Sequence, residues 1–445
     1  MKNQKKQTAQ LQTLPDQSEQ ALQLKSHYDV VIVGGGQAGL AVSYYLKQAN
    51  IDYIILEKEH SLTHSWRTKR WDNFTLVTPN WQCLLPDHPY TGNDPDGFMK
   101  KDEIIEYLDA FIEKLQPNAL CDVDVKHVEK LDQHLFSIDT SIGTITSNQV
   151  VVAAGGYHTP IYPELSSPLP EHVYCIHSEQ YFNVDQLPEG NVLVVGSGQS
   201  GAQIAEDIHL AGKKVYLSTG DAPRCARFYR GKDVVKWLHE MGYYETTVKD
   251  HRYSEEVRNS TNHYVTGRDG GRDIDLRQFA TEGMQLLGRF GDYCEGELLF
   301  KANLNQNLDS ADATYNRINA SIDQYIEKNQ ITTEIEASVY HPVWVPEQER
   351  TCLNLIEENI QSIIWCIGFR PDYSWIDLDI FQANGYPKHD RGITIDPDVT
   401  FIGLPWLYTW GSGRFLGINQ DAAYVATHIQ QRLNLAKHNA QELIA

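Results

Sequence analysis

A β-branched run that ends in Gly-x-Gly-x-x-Gly leaves a chain few ways to fold. Asp29-Val-Val-Ile-Val33 has the composition of a strand buried on both faces, and it runs directly into Gly34-Gly-Gly-Gln-Ala-Gly39. Leu40 to Gln48 has helix-forming composition, and Ile51 to Leu56 reads as a second strand that ends at Glu57. The resulting strand–helix–strand unit needs each glycine. Gly34 permits the tight turn, Gly36 lets the backbone approach a pyrophosphate, and Gly39 lets helix and strand pack closely. The first helical N–H groups, at Gln37 and Ala38, then face phosphate oxygens. Glu57 lies 21 residues beyond Gly36, where a carboxylate accepts hydrogen bonds from a ribose, and Lys58 adjoins it. A dinucleotide site is expected here.

The pattern recurs. Asn191-Val-Leu-Val-Val195 leads into Gly196-Ser-Gly-Gln-Ser-Gly201, followed by a helix-like stretch from Ala202 to Leu210 and a strand from Lys214 to Leu217. Gly196, Gly198, Gln199, Ser200 and Gly201 would form the second phosphate cradle. Ser218, 20 residues beyond Gly198, occupies the position of the ribose acid, with Thr219 beside it. Neither repels a 2′-phosphate, and Arg224, Arg227 and Arg230 follow closely. NADPH is therefore expected over NADH, Asp221 being the contrary feature. Two dinucleotide sites in one chain imply electron traffic between two cofactors.

With both loops placed, the chain resembles the class B flavin-dependent monooxygenases, which include flavin-containing monooxygenases, Baeyer–Villiger enzymes and plant indole-pyruvate monooxygenases. Between the loops, Glu171 to Phe182 looks like the family fingerprint F-x-G-x-x-x-H-x-x-x-W/Y: His177 and Tyr181 match, while Glu171 and Val173 replace the usual Phe and Gly. Ser65-Trp66-Arg67 and Trp71 to Pro79 resemble the stretch that crosses toward the isoalloxazine. Val150 to Gly155, with Ala154 in place of the more common Thr, resembles the strand and turn that close the first domain. Ile363 to Asp372, containing Gly368, is similar to an element of the second half of the FAD domain, and Phe401 to Gln420 to its closing segment, although Gly411-Ser-Gly413 lacks the Asp common there.

The resemblance implies an α/β fold with two Rossmann-type domains, the nicotinamide domain being inserted into the FAD domain. Residues 27–165 and 335–435 would bind FAD, and 166–334 would bind NADPH. It further implies hydride delivery from NADPH to the flavin, formation of a C4a-(hydro)peroxyflavin, and insertion of one oxygen atom into a small organic substrate. Asn80 is the candidate polar group near the flavin, with a turn-forming Asn after Pro as the alternative. His177 and Tyr181 are expected to support coupling of NADPH oxidation to oxygenation. Residues 231–307, rich in aromatics and arginine, would form the substrate pocket, a homodimer contact or a peripheral insertion.

Composition narrows the alternatives. Acidic residues outnumber basic ones 59 to 38, and a net charge of −21 repels nucleic acid and anionic lipid surfaces. Apolar runs are strand-length, short of the roughly 20 residues that cross a bilayer. Residues 1–26 are rich in Gln and Lys and read as a disordered polar tail without a secretory core, so a cytoplasmic protein is expected. The 7 cysteines are scattered, with no C-x-x-C pair and no metal-ligand spacing. That argues against a dithiol disulfide reductase. An NAD(P)H-dependent reductase or dehydrogenase without oxygen insertion, and a flavin-binding redox sensor, remain as other readings.

Overall fold

The computed structural model describes residues 24–442, with side chains described as far as residue 436. The expected polar tail lies outside the described residues as far as residue 23. Two separate sheets organise the chain, each grown around one of the glycine-loop units.

In the first sheet the strand His27–Val33 lies between Tyr53–Leu56 and Gly143–Val152 and runs parallel to both. Val30, Val31 and Ile32 are fully buried, as a strand covered on both faces requires. The strand Gly143–Val152 changes partners along its length. Its first half pairs antiparallel with Leu135–Thr140, and its end pairs parallel with Val399–Phe401. One face is covered by the helix Gln37–Gln48 and by Ile418–Glu442, whose Ile418, Ala422, Val425, Ala426 and Ile429 recur at helical spacing and enter the same core as Leu40 and Leu46.

The second sheet has five parallel strands in the order Tyr174–His177, Ile360–Trp365, Asn191–Val195, Val215–Ser218 and Gln285–Leu287. Ile360–Trp365 was expected in the returning half of the first unit. It instead sits between Tyr174–His177 and Asn191–Val195, because Ile363, Ile364 and Trp365 fit the buried centre of either sheet equally well. The chain rejoins the first unit beyond it, where Phe369–Arg370 pairs with Thr159–Pro160 and Ile376–Asp377 joins the first sheet.

Residues 231–307 are not peripheral as a whole. Gln285–Leu287 is the edge strand of the second sheet, and Leu304 begins a helix that runs to Lys328. The middle of the region packs on the closing segment of the first unit: the Val248 N–H donates to Tyr408 O at 2.8 Å, and Arg258 Nε donates to Trp406 O at 3.2 Å. Asp207, near the end of the second unit's first helix, accepts from Asn73 Nδ2 at 2.9 Å and from Tyr181 Oη at 2.7 Å. These bonds tie the two units around a shared cleft.

Candidate functional site

Both glycine loops adopt the same geometry. Gly34 has φ +109° and Gly196 φ +104°, left-handed conformations that favour glycine. A Cβ on Gly34 would lie 2.6 Å from Ala153 O, and one on Gly196 would lie 2.6 Å from Cys366 O, so each turn is pressed against the strand beside it. A Cβ on Gly39 would meet Gly34 O at 2.1 Å, and one on Gly201 would meet Gly196 O at 1.8 Å, which is the close helix–strand packing that the third glycine permits.

The middle glycines behave differently. A Cβ on Gly36 would meet nothing within 4 Å, and one on Gly198 would meet only Thr261 Cγ2 at 3.8 Å. Each therefore faces open space at the N-terminus of a 12-residue helix, with the unbonded N–H groups of the first turn pointing into it. A pyrophosphate would fit such a cradle. Glu57 stands at the end of the second strand, where its carboxylate accepts from Gly35 N at 2.7 Å and Glu59 N at 3.0 Å. Each oxygen keeps a lone pair for a ribose hydroxyl. Lys58 beside it is exposed.

The remaining residues expected at the first cradle divide. Trp66 Nε1 donates to Gln37 Oε1 at 2.9 Å, Gln37 Nε2 donates to Gly413 O at 3.1 Å, and the Trp66 ring stacks on Phe415. This chain of contacts fixes the crossing stretch and the closing segment against the first glycine loop. Arg67 turns away to pair with Asp109. Ala154 and Gly155 follow the strand that presses on Gly34, and Gly155 has φ +75° with nothing within 4 Å of a Cβ. Gly368 O accepts from His177 Nε2 at 3.1 Å.

The three expected catalytic residues are embedded in structure. Asn80 is buried, donating to Asp94 O at 2.9 Å and accepting from Met99 N at 2.7 Å, so it staples a loop; Thr78, two residues earlier, is what reaches the cleft. His177 is buried between Tyr162 and Phe369, and burial pulls its pKa down. Tyr181 is fully buried, and its hydroxyl is committed to Asp207, with burial raising its pKa. Sequence spacing could place these three but could not show that none lines the cleft.

Around the second cradle, the arginines expected near a 2′-phosphate are corrected by the structure. Arg224 is buried, paired through Nε to Asp312 at 2.8 Å, and stacked 4.0 Å from the Tyr340 ring centroid. Arg227 is held by Asp233 and by Val77 O, and Arg230 by Asp323. A desolvated cation takes the nearest carboxylate, and helix Leu304–Lys328 supplies two of these partners, about ninety residues downstream. Ser218 donates to Gly288 O at 3.0 Å and accepts from Phe290 N at 2.8 Å, and Thr219 donates to Leu287 O at 2.8 Å. Both hydroxyls are thus tied to the neighbouring strand.

That same strand ends at a cation the sequence reading passed over. Arg289 is exposed and lines the cleft beside Ser218, Thr219 and Asp221, with no ion pair among the described residues. Its signal lay in register, since Leu287 pairs with Ser218. Gln199 is used in clamping Val265 O at 2.7 Å, whereas Ser200 is exposed on the cleft wall.

The cleft itself encloses about 900 Å3 between the two units. Its walls include the second glycine loop, Arg70 and Tyr157 from the first unit, and Tyr243, Tyr244, Asn262 and His263 from the 231–307 region. Burial pulls the His263 pKa down to about 4, with Arg317 adding to the effect, so this ring is neutral near pH 7. Among the described residues no cluster of three or more His, Cys, Asp or Glu could hold a metal, and no helix is long and apolar enough to cross a membrane.

Comparison with known proteins agrees with this layout. A family profile described as pyridine nucleotide-disulphide oxidoreductase matches residues 31–279. The chain is 30% identical over 406 residues to an uncharacterized CzcO-like oxidoreductase of Geobacillus kaustophilus, covering 90% of this chain and 98% of that one. It is 32% identical over 186 residues to a probable indole-3-pyruvate monooxygenase, YUCCA10, of Arabidopsis thaliana, covering 40% of this chain and 48% of the relative. Its fold is that of a flavin-containing monooxygenase from Stenotrophomonas maltophilia, with TM-score 0.63 and 18% identity over 92% of this chain and 100% of that one. Two glycine-loop units built to one plan, matched by the profile across both loops, place this oxidoreductase in the pyridine nucleotide-disulphide oxidoreductase family.

Proposed function

We propose that the chain is an FAD- and NADPH-dependent monooxygenase that inserts one oxygen atom of O2 into a small organic substrate. The observation that carries this reading is the pair of cradles, each with a middle glycine facing open space, the second of them opening on the cleft between the two units.

FAD fits the first cradle. The backbone at Gly36, Gln37 and Ala38 would take its pyrophosphate, and Glu57 the adenosine ribose. NADPH fits the second, with the backbone at Gly198, Gln199 and Ser200 on the pyrophosphate and Arg289 on the 2′-phosphate. When bound, the flavin supplies the redox and oxygen chemistry. The chain supplies position and exclusion of water. Cys366 to Phe369 and Tyr157, which follow the two strands that press on Gly196 and Gly34, line the cleft, and His177 holds the Gly368 carbonyl beside them. Tyr157, Phe369 and Trp410 give that junction aromatic walls, which limit water at the reacting centre.

The fold is shared by enzymes that only pass electrons on, so the test must follow the oxygen. Flavin-loaded protein is given NADPH and heavy-isotope O2 with a panel of sulfides, amines, ketones and oxo acids. Mass spectrometry then reads products, while a peroxidase assay reads H2O2. Gain of one labelled oxygen in any product supports the reading. NADPH consumption that yields only H2O2 across the panel, with electrons passing instead to quinones or dyes, would establish the reductase.

A further inference from the structure

We infer that the part of the cleft formed by Tyr243, Tyr244, Trp410 and Arg414 binds the carboxylate of a small organic acid with an apolar, planar body, Arg414 being the anion-holding residue. This deepens the proposed monooxygenase reading and rests on it, by naming the substrate class.

This chain has an excess of acids, and most of its buried arginines, Arg224, Arg227 and Arg277 among them, sit on carboxylates. Arg414 does not. Its Nη1 donates to Trp410 O and its Nη2 to Asn262 Oδ1 at 3.0 Å, two neutral acceptors. The ionisable groups that bear on it are Tyr157, Tyr243 and Tyr244, with no carboxylate among them, and burial pulls its pKa down. The carboxylates on the cleft wall are Glu179, which pairs with Lys69, and Asp221, which adjoins Ser218 and Thr219 at the second cradle. A guanidinium offers five N–H donors, and neutral acceptors compensate desolvation of its charge less well than an anion does. The planar fork matches a carboxylate at two oxygens.

The surroundings select the rest of the ligand. The Arg414 guanidinium lies 4.1 Å from the Trp410 ring centroid, Trp410 lies 4.6 Å from Tyr244, and Tyr244 lies 5.4 Å from Tyr243. This is one continuous aromatic wall, suited to a flat apolar body. Arg70 and Arg289 also line the cleft without a carboxylate partner among the described residues, but Arg70 is stacked on Trp66 and Phe74 and Arg289 stands at the second cradle, which leaves Arg414, beside neutral Asn262 and His263, as the cation for the one charge of a carboxylate. Burial raises the pKa of both tyrosines, keeping their hydroxyls protonated as donors to the acid or to an oxygen beside it.

The test uses flavin-loaded full-length protein without NADPH. Pairs of probes that differ only in charge, such as 3-phenylpropanoate and 3-phenylpropanamide, or 1-naphthoate and 1-naphthamide, are titrated. Tryptophan fluorescence and the visible flavin spectrum report binding. The wild type is expected to prefer at least one acid over its amide by about tenfold or more, as a desolvated charge-assisted contact implies. Arg414→Gln should erase that preference at full flavin content, and Arg414→Lys should restore part of it. Equal binding of acid and amide in every pair, or a preference that survives Arg414→Gln, overturns the inference. Loss of flavin from both variants with no acid preference in the wild type also overturns it, because Arg414 would then serve the cofactor. Anaerobic reduction of the wild-type flavin by NADPH, run alongside, shows separately whether the underlying redox reading stands.

Discussion

Replacing Arg289 with Gln removes a cation that has no ion pair among the described residues and stands beside the end of the strand Val215–Ser218, while leaving Ser218, Thr219 and the glycine loop in place. Because Arg289 is exposed, solvent screens it, and the contact with a 2′-phosphate lies between a surface ion pair, at about 0–1 kcal/mol, and a charge-assisted hydrogen bond, at about 1.5–3 kcal/mol. A loss of about 1–2 kcal/mol corresponds to roughly five- to thirtyfold weaker NADP+ binding. Calorimetric titration of NADP+ and NAD+ into wild type and Arg289→Gln, at about 0.05 M and 0.5 M salt, measures it. NADP+ should weaken in the variant at low salt, NAD+ should be unchanged, and the gap between proteins should shrink at high salt. Equal losses for both nucleotides would put Arg289 on the pyrophosphate, and an unchanged NADP+ affinity would falsify the assignment.

Other substitutions separate cradle from scaffold. Gly36→Val should fold and melt near the temperature of flavin-free wild type, since its Cβ meets nothing within 4 Å, yet purify without flavin; Gly39→Ala, whose Cβ would lie 2.1 Å from Gly34 O, should instead give little folded protein, as soluble yield and circular dichroism will show. Arg224→Ala should cost about 1.5–3 kcal/mol in denaturant unfolding by removing one of the two guanidiniums, Arg224 and Arg277, that hold Asp312, with the NADP+/NAD+ ratio unchanged. His263 has its folded pKa depressed to about 4, so the unfolded chain binds the extra proton first, and the ring's contribution to stability is complete above about pH 6.5 and is lost as pH falls toward 4. His263→Gln should flatten the acid limb of the stability profile in that window by up to about 1.4 kcal/mol per pH unit, and an unaltered limb would place the titrating group elsewhere.

The glycine loops were legible in the sequence because their constraint is local: a left-handed turn, an open approach and a close helix contact each demand glycine at a fixed offset, whatever surrounds them. The position of Glu57 at the end of the second strand was legible for the same reason, being fixed by strand length. What a side chain does after its backbone is placed depends on partners far along the chain. Arg224 and Arg230 find Asp312 and Asp323 on a helix about ninety residues away, Asn80 finds Asp94 and Met99 across a loop, and no spacing rule near them reveals it. Ile360–Trp365 shows a third limit. A strand buried on both faces carries no alternation, so its sequence fits the centre of either parallel sheet, and only pairing decides between them. Arg289 and Arg414 became visible only once their places on the cleft wall were known.

The account stands on electrons passing from a nucleotide in the second cradle to a flavin in the first, and Gly198→Val tests that most directly. A Cβ there meets only Thr261 Cγ2 at 3.8 Å, so the variant should fold, while its larger side chain fills the space of a pyrophosphate. Wild type and Gly198→Val, both purified yellow and made anaerobic, are mixed with NADPH, and flavin absorbance is followed. The wild type should bleach with a stoichiometric amount of NADPH, and the variant should keep its full flavin content and stay oxidised. Bleaching of Gly198→Val at the wild-type rate would contradict the two-cradle account, because the hydride would then reach the flavin from a nucleotide bound elsewhere.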